Sequence, residues 1–186
     1  MGITTWLKFY KTIGWMSSRP REVLFSPGYP QPKRLLFLFP ILVEHFDESI
    51  YILRRLERHP GATILLAIPS LFRDRIPTPS HQIFYFPFLK GKLSKVELEV
   101  LLARFRYDSF DAVINLDPHL NLGMARAISM IRAPKRIGVS GPGADDIYNI
   151  QIQTQPSRPL RAAYDQMLNL CDLGPLGEHP DYRVWG

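Results

Sequence analysis

Apolar residues in this chain come as short unbroken runs that alternate with stretches repeating at helical spacing. The first run is Leu35–Phe39, LLFLF. A run this short, without polar alternation, reads as a strand buried on both faces. The chain then passes through Pro40 and Val43-Glu44-His45. Beyond them Phe46, Ile50, Leu53 and Leu56 fall on one side of a helix, with Arg54, Arg55, Glu57 and Arg58 mostly on the other. Pro60-Gly61 ends that helix. Buried strand, loop and amphipathic helix form the opening unit of a doubly wound α/β domain. In such a sheet, ligands sit at the loop after the strand, here Phe39–His45.

The same alternation continues. Ala62–Ile68 (ATILLAI) predicts a second buried strand, and the proline-rich 69–80 a loop with one helical turn. Gln82–Phe86 predicts a third strand. Ser94 and Glu97 make a capping box for a helix from Lys95 to about Arg106, with Val96, Val100 and Leu101 on one face. Phe110–Leu116 (FDAVINL) predicts a fourth strand, with Asp117-Pro118-His119 at its carboxyl end. Leu120, Met124, Ile128 and Ile131 mark the helix Leu120–Arg132. Lys135–Val139 predicts a fifth strand, Gly141-Pro142-Gly143 a turn, Ile147–Ile152 a sixth strand and Leu160–Leu173 a last helix. Strands alternating with crossovers imply an α/β fold: a Rossmann-like parallel sheet with helices on both faces.

Composition agrees with one such domain plus an extension. Of 186 residues, 46% are hydrophobic and 12% aromatic, enough for a packed core. The formal net charge is +6, but residues 1–33 carry five basic residues against one acid. The charge therefore belongs mainly to the extension and forms no stripe over the domain, which argues against a nucleic-acid partner. The domain is expected over 34–186. Residues 19–33 read as a Pro-rich connector. Residues 1–18 interleave Trp6, Phe9, Tyr10 and Trp15 with Lys8 and Lys11. They read either as a helix packed on the domain's flank or as an interfacial helix on an anionic inner-membrane surface. The single cysteine, Cys171, allows no internal disulfide and is expected to be buried; the chain suits the cytoplasm. No apolar run is long enough to span a membrane, and no secretory signal is evident.

Two strand-end loops hold the polar residues of interest: Glu44, His45 and Asp47 after the first strand, and Asn115, Asp117 and His119 after the fourth. A carboxylate or histidine there can take a proton from a hydroxyl. The alternative is structural. Carboxylates at a helix start are favoured by its dipole, and Asp-Pro opens turns. Gly141-Pro142-Gly143-Ala144 lacks phosphate-cradle spacing, and no Cys/His cluster has metal-ligand spacing, so neither a cofactor nor a metal is expected.

The segment FDAVINLDPHLNLGMARAISMIRAPKRIGVSGPGADDIYNIQI is similar to the middle of the N-terminal domain of the ADP-heptose:lipopolysaccharide heptosyltransferases, glycosyltransferase family 9. Phe110-Asp111, Val113-Ile114, Lys135–Gly138 and Tyr148-Asn149 carry the resemblance. The opening strand and helix, Pro60-Gly61-Ala62 and Leu173-Gly174 extend it over about Arg34 to Gly174. The resemblance implies a GT-B architecture of two Rossmann-like domains, of which this chain covers the acceptor-side one; a separate donor-binding domain or glycosyltransferase is the partner it suggests. It implies Glu44 as the proton-accepting group, in place of the family's Asp, with Val43 where the family has Gly. It places His45, Asp117, His119 and Asn121 near a glycolipid acceptor, Asn121 standing where the family has a basic residue. Arg161 and Tyr164 stand roughly where the family has His and Glu. A retained core with altered site positions implies a non-catalytic or partner-dependent module of envelope glycan and lipopolysaccharide assembly. The alternative is an active acceptor domain completed by a separate donor-binding chain.

Overall fold

The computed structural model describes residues 4, 5, 8, 34–56, 61–76, 81–88, 93–154, 159–171 and 173. The expected flank or membrane helix over 1–18, the connector 19–33, the domain boundary and Gly174 fall wholly or largely outside the described residues.

Among those residues six strands form one sheet: β1 (Arg34–Leu38), β2 (Thr63–Pro69), β3 (Gln82–Phe86), β4 (Ala112–Asn115), β5 (Lys135–Val139) and β6 (Ile150–Ile152). Every pairing is parallel, in the order β3-β2-β1-β4-β5-β6. The helices are α1 (Val43–Ser49), α2 (Tyr51–Leu56), α3 (Lys95–Phe105), α4 (Leu122–Met130) and α5 (Leu160–Leu170).

The central position of β1 explains its unbroken apolar run. Leu35, Phe37 and Phe39 pack on one face with Phe46, Leu53, Leu56, Tyr164 and Leu168, under α1, α2 and α5. Leu36 and Leu38 pack on the other with Leu101, Phe105, Met124 and Ile128, under α3 and α4. Handedness assigns the two sides. The connection from β1 runs to β2 in one direction and that from β4 to β5 in the other. Right-handed crossovers then put their helices on opposite faces.

Three local expectations are corrected. The buried side of α3 is Leu98, Leu101, Leu102 and Phe105, whereas Val96 is 73% exposed and Val100 is also exposed. Apolar residues surround this helix, so periodicity alone does not choose a side; the larger Leu and Phe side chains bury more area. The first helix starts at Val43 and is interrupted at Ile50. There the Leu53 N–H bonds to the Ile50 carbonyl at 3.0 Å, three residues back, and Ser49 Oγ donates to the Phe46 carbonyl at 2.8 Å. The sixth strand begins at Ile150. Ile147 and Tyr148 instead follow a 3-10 turn over Ala144–Asp146, entered through Gly143 at φ 81°, and turn into the core under α4.

The capping box is formed as expected. Ser94 Oγ accepts the Glu97 N–H at 3.3 Å, and Glu97 Oε2 accepts the Ser94 N–H at 2.6 Å. Cys171 is buried at the end of α5.

Candidate functional site

β1 and β4 are neighbours whose following connections leave in opposite directions. A crevice opens between such strands at their carboxyl ends, the topological switch point of an open α/β sheet. Both polar loops identified in the sequence lie on it.

From β1, the Phe39 N–H reaches the Ala67 carbonyl at 3.0 Å and prolongs the ladder by one residue. Pro40 has no N–H to continue it. Leu42 is the N-cap of α1 and offers no side-chain oxygen. Glu44 and His45 therefore occupy the first helical turn rather than a loop. Glu44 is exposed and His45 half-buried. Asp47 also points outward and is held by Arg75, whose Nη1 donates to both carboxylate oxygens at 2.7 and 2.9 Å. That pair ties α1 to the 3-10 turn Ser70–Arg75 after β2, beside the stacked rings of Phe46 and Phe72 at 4.0 Å.

From β4, the chain enters a hydrogen-bonded loop. Asp117 is only 3% exposed. Its Oδ1 accepts the His119 N–H at 2.9 Å, an Asx turn, and its Oδ2 accepts the Ile41 N–H at a long 3.4 Å. One carboxylate thus shapes its own loop and reaches across to the loop of β1. Burial raises the Asp117 pKa above the ordinary value, and the two N–H donors and the neighbouring His45 and His119 oppose that rise. His45 and His119 meet edge to face with ring centroids 5.0 Å apart, closing the contact between the loops.

Asn121 is the N-cap of α4: its Oδ1 accepts the Met124 N–H at 2.8 Å. Its Nδ2 is buried and meets no acceptor among the described residues. The geometry therefore brings His45, Asp117 and His119 together, sets Glu44 on the exposed rim of the same edge and uses Asn121 to start a helix. Among the described residues no group of three or more His, Cys, Asp or Glu side chains is arranged to hold a metal ion.

Two tyrosines stand behind this crevice, and the family resemblance quotes both without giving either a contact with β4. Tyr148 Oη accepts from Asn115 Nδ2 at 2.7 Å, and Asn115 Oδ1 accepts the Asp117 N–H at 3.3 Å. Tyr164 Oη donates to the Leu116 carbonyl at 2.8 Å. Tyr148 lies in the expected strand and Tyr164 in the expected helix. Neither spacing indicates that both reach the end of β4.

No protein-family model matches this sequence, and no curated protein matches it. Solved structures do. A glycosyl transferase of family 9 from Veillonella parvula DSM 2008 matches with a TM-score of 0.52 and 21% identity, over 76% of this chain and 40% of that one. The E. coli heptosyltransferase WaaC with ADP matches with a TM-score of 0.49 and 13% identity, over 80% of this chain and 48% of that one. The chain thus spans less than half the length of either. At this identity the first likeness is one of fold, and the second is too slight to add to it. The protein is an α/β Rossmann-like domain whose sheet and helices are similar to part of a family 9 glycosyltransferase.

Proposed function

We propose that this domain is a glycosyltransferase-like acceptor module of envelope glycan and lipopolysaccharide assembly, one that binds a glycolipid and does not transfer sugar by itself. The observation that supports this reading most is the polar crevice at the β1/β4 switch point. There the two histidines and the loop held by Asp117 offer hydrogen-bonding groups to a polyhydroxylated ligand. The test is a titration of the full chain with lipopolysaccharide inner-core oligosaccharide, followed by amide and imidazole resonances. Shifts at His45 and His119, with no sugar transfer from a nucleotide sugar, are the expected result. Turnover by the chain alone, or an unperturbed crevice, overturns the reading.

A second reading has one observation in its favour: a carboxylate, Glu44, stands in the first turn after β1 on the crevice edge. In that reading Glu44 accepts the acceptor hydroxyl's proton once a separate donor-binding chain completes the site. Mixed with such a partner, the domain then shows transfer that Glu44→Gln reduces by about 100-fold or more. Undiminished transfer by that variant removes Glu44 from the chemistry.

The aromatic and basic stretch 1–18 supports a peripheral position on the inner membrane. Among the described residues no helix is long and apolar enough to cross one. Co-sedimentation with anionic liposomes that is lost on deleting 1–18 is the expected result; retention after deletion assigns the anchor elsewhere.

A further inference from the structure

The end of β4 is held from both faces of the sheet through a single peptide unit. The carbonyl of the Leu116–Asp117 peptide accepts the Tyr164 hydroxyl at 2.8 Å; Tyr164 comes from α5 and belongs to the core cluster on that side. The N–H of the same peptide donates to Asn115 Oδ1 at 3.3 Å, and Asn115 Nδ2 in turn donates to the Tyr148 hydroxyl at 2.7 Å. Tyr148 belongs to the opposite core cluster. A trans peptide points its C=O and N–H in opposite directions, so the two contacts approach from opposite sides without competing.

Each tyrosine is itself immobilised. The Tyr148 N–H bonds to the Ala144 carbonyl at 2.8 Å, and its neighbour Asn149 spans the Arg136 N–H and the Pro134 carbonyl at 2.8 and 2.6 Å. The Tyr148 ring fills the space where Gly138 has no side chain; a Cβ there would overlap the ring. Tyr164 is fully buried. Asn115 is also fully buried, and its amide has one consistent orientation. Oδ1 must face the Asp117 N–H, so Nδ2 must find an acceptor, and the Tyr148 hydroxyl is that acceptor.

We propose that Tyr148 and Tyr164 are paired positioning residues: together they fix the Leu116–Asp117 peptide and thereby aim the Asp117 carboxylate at the Ile41 and His119 amides that shape the crevice. Both hydroxyls are engaged by the end of β4 itself, one by Asn115 Nδ2 and the other by the Leu116 carbonyl. The inference takes as its object the crevice of the functional reading above, but it concerns the crevice's shape and holds whatever binds there.

The test uses the full chain without ligand. Tyr148→Phe, Tyr164→Phe and the double variant keep both rings and remove only hydroxyls. Amide hydrogen exchange is read at Asp117 and His119, and at Leu66 and Val113 in the sheet as internal standards. Each single variant is expected to speed exchange at Asp117 and His119 about tenfold beyond any change at the standards. In the double variant the local acceleration is expected to exceed the product of the single effects, because each single variant leaves one side of the peptide held. Exchange that rises equally at crevice and standards assigns the hydroxyls to global stability and overturns the proposal. Strictly multiplicative effects overturn the pairing. If the double variant does not fold, the ratio of local to standard exchange in the single variants decides.

Discussion

Asp117 carries opposing demands. It is nearly excluded from water, yet its two oxygens serve main-chain donors on both loops of the crevice. Burial is the larger effect, so its folded-state pKa lies above the ordinary 3.8. The native state therefore binds this proton more readily than the unfolded chain. Between 3.8 and the raised folded value, unfolding releases a proton, and stability falls as pH rises through that window. Above the window the penalty for the buried charge is complete; towards acid it is relieved. Thermal unfolding of wild type and Asp117→Asn from pH 7 to pH 4 checks this. The midpoint of wild type relative to the variant is expected to rise as pH falls. A flat difference would show that Asp117 titrates alike in both states.

Gly138 is a second position where one residue decides. It sits in β5 against the face of the Tyr148 ring, and any Cβ must displace that ring. Gly138→Ala is expected to cost about 1–3 kcal/mol, the usual range for overpacking a filled core. Urea unfolding measures it, and an unchanged midpoint would mean that the ring moves freely.

At the scale of elements, α3 separates pattern from packing. Its start is set by local chemistry: Ser94 and Glu97 cap each other's main-chain groups. Its inner face is set by competition among apolar residues on all sides, which the sheet resolves in favour of Leu98, Leu101, Leu102 and Phe105. Leu101→Ala is expected to cost about 2–5 kcal/mol. Val96→Ala, at a largely exposed site, is expected to stay within about 0.5 kcal/mol. Comparable losses from both substitutions in chemical denaturation would reverse the assignment of faces. The first helix shows the same division. Its apolar spacing was legible, with Phe46, Leu53 and Leu56 buried as expected. Its interruption at Ile50 was not: there the Leu53 N–H bonds three residues back, and the Ser49 hydroxyl shares the Phe46 carbonyl with the Ile50 N–H.

For the whole molecule, the strand order places the crevice. The ends of β1 and β4 meet because β2 lies to one side and β5 to the other. A ligand of this domain is therefore expected to perturb residues at the carboxyl ends of β1 and β4, and to leave Arg34, Asp108 and Asp111 at the opposite edge unchanged. Those three form their own cluster, with Arg34 bonded to Asp108 at 2.9 Å and its N–H to Asp111 at 2.8 Å. Chemical-shift mapping centred on that cluster would move the site to the other end of the sheet.

The sequence by itself determined the α/β class, the succession of strands and helices, and the two polar loops. Unbroken apolar runs, helical spacing, a capping box and Gly/Pro stops are all short-range signals, readable within a dozen residues. The tertiary structure alone decided what those loops do together. It buried Asp117, carried one of its oxygens to the Ile41 amide of the other loop and set His45 against His119. It also brought Tyr148 and Tyr164 onto one peptide. Those contacts join residues from 33 to 76 positions apart, and their partners are chosen by strand order and by which face of the sheet each side chain enters. Neither quantity is encoded in any local window, because both depend on how the crossovers fold back on a sheet that exists only once all its strands have paired.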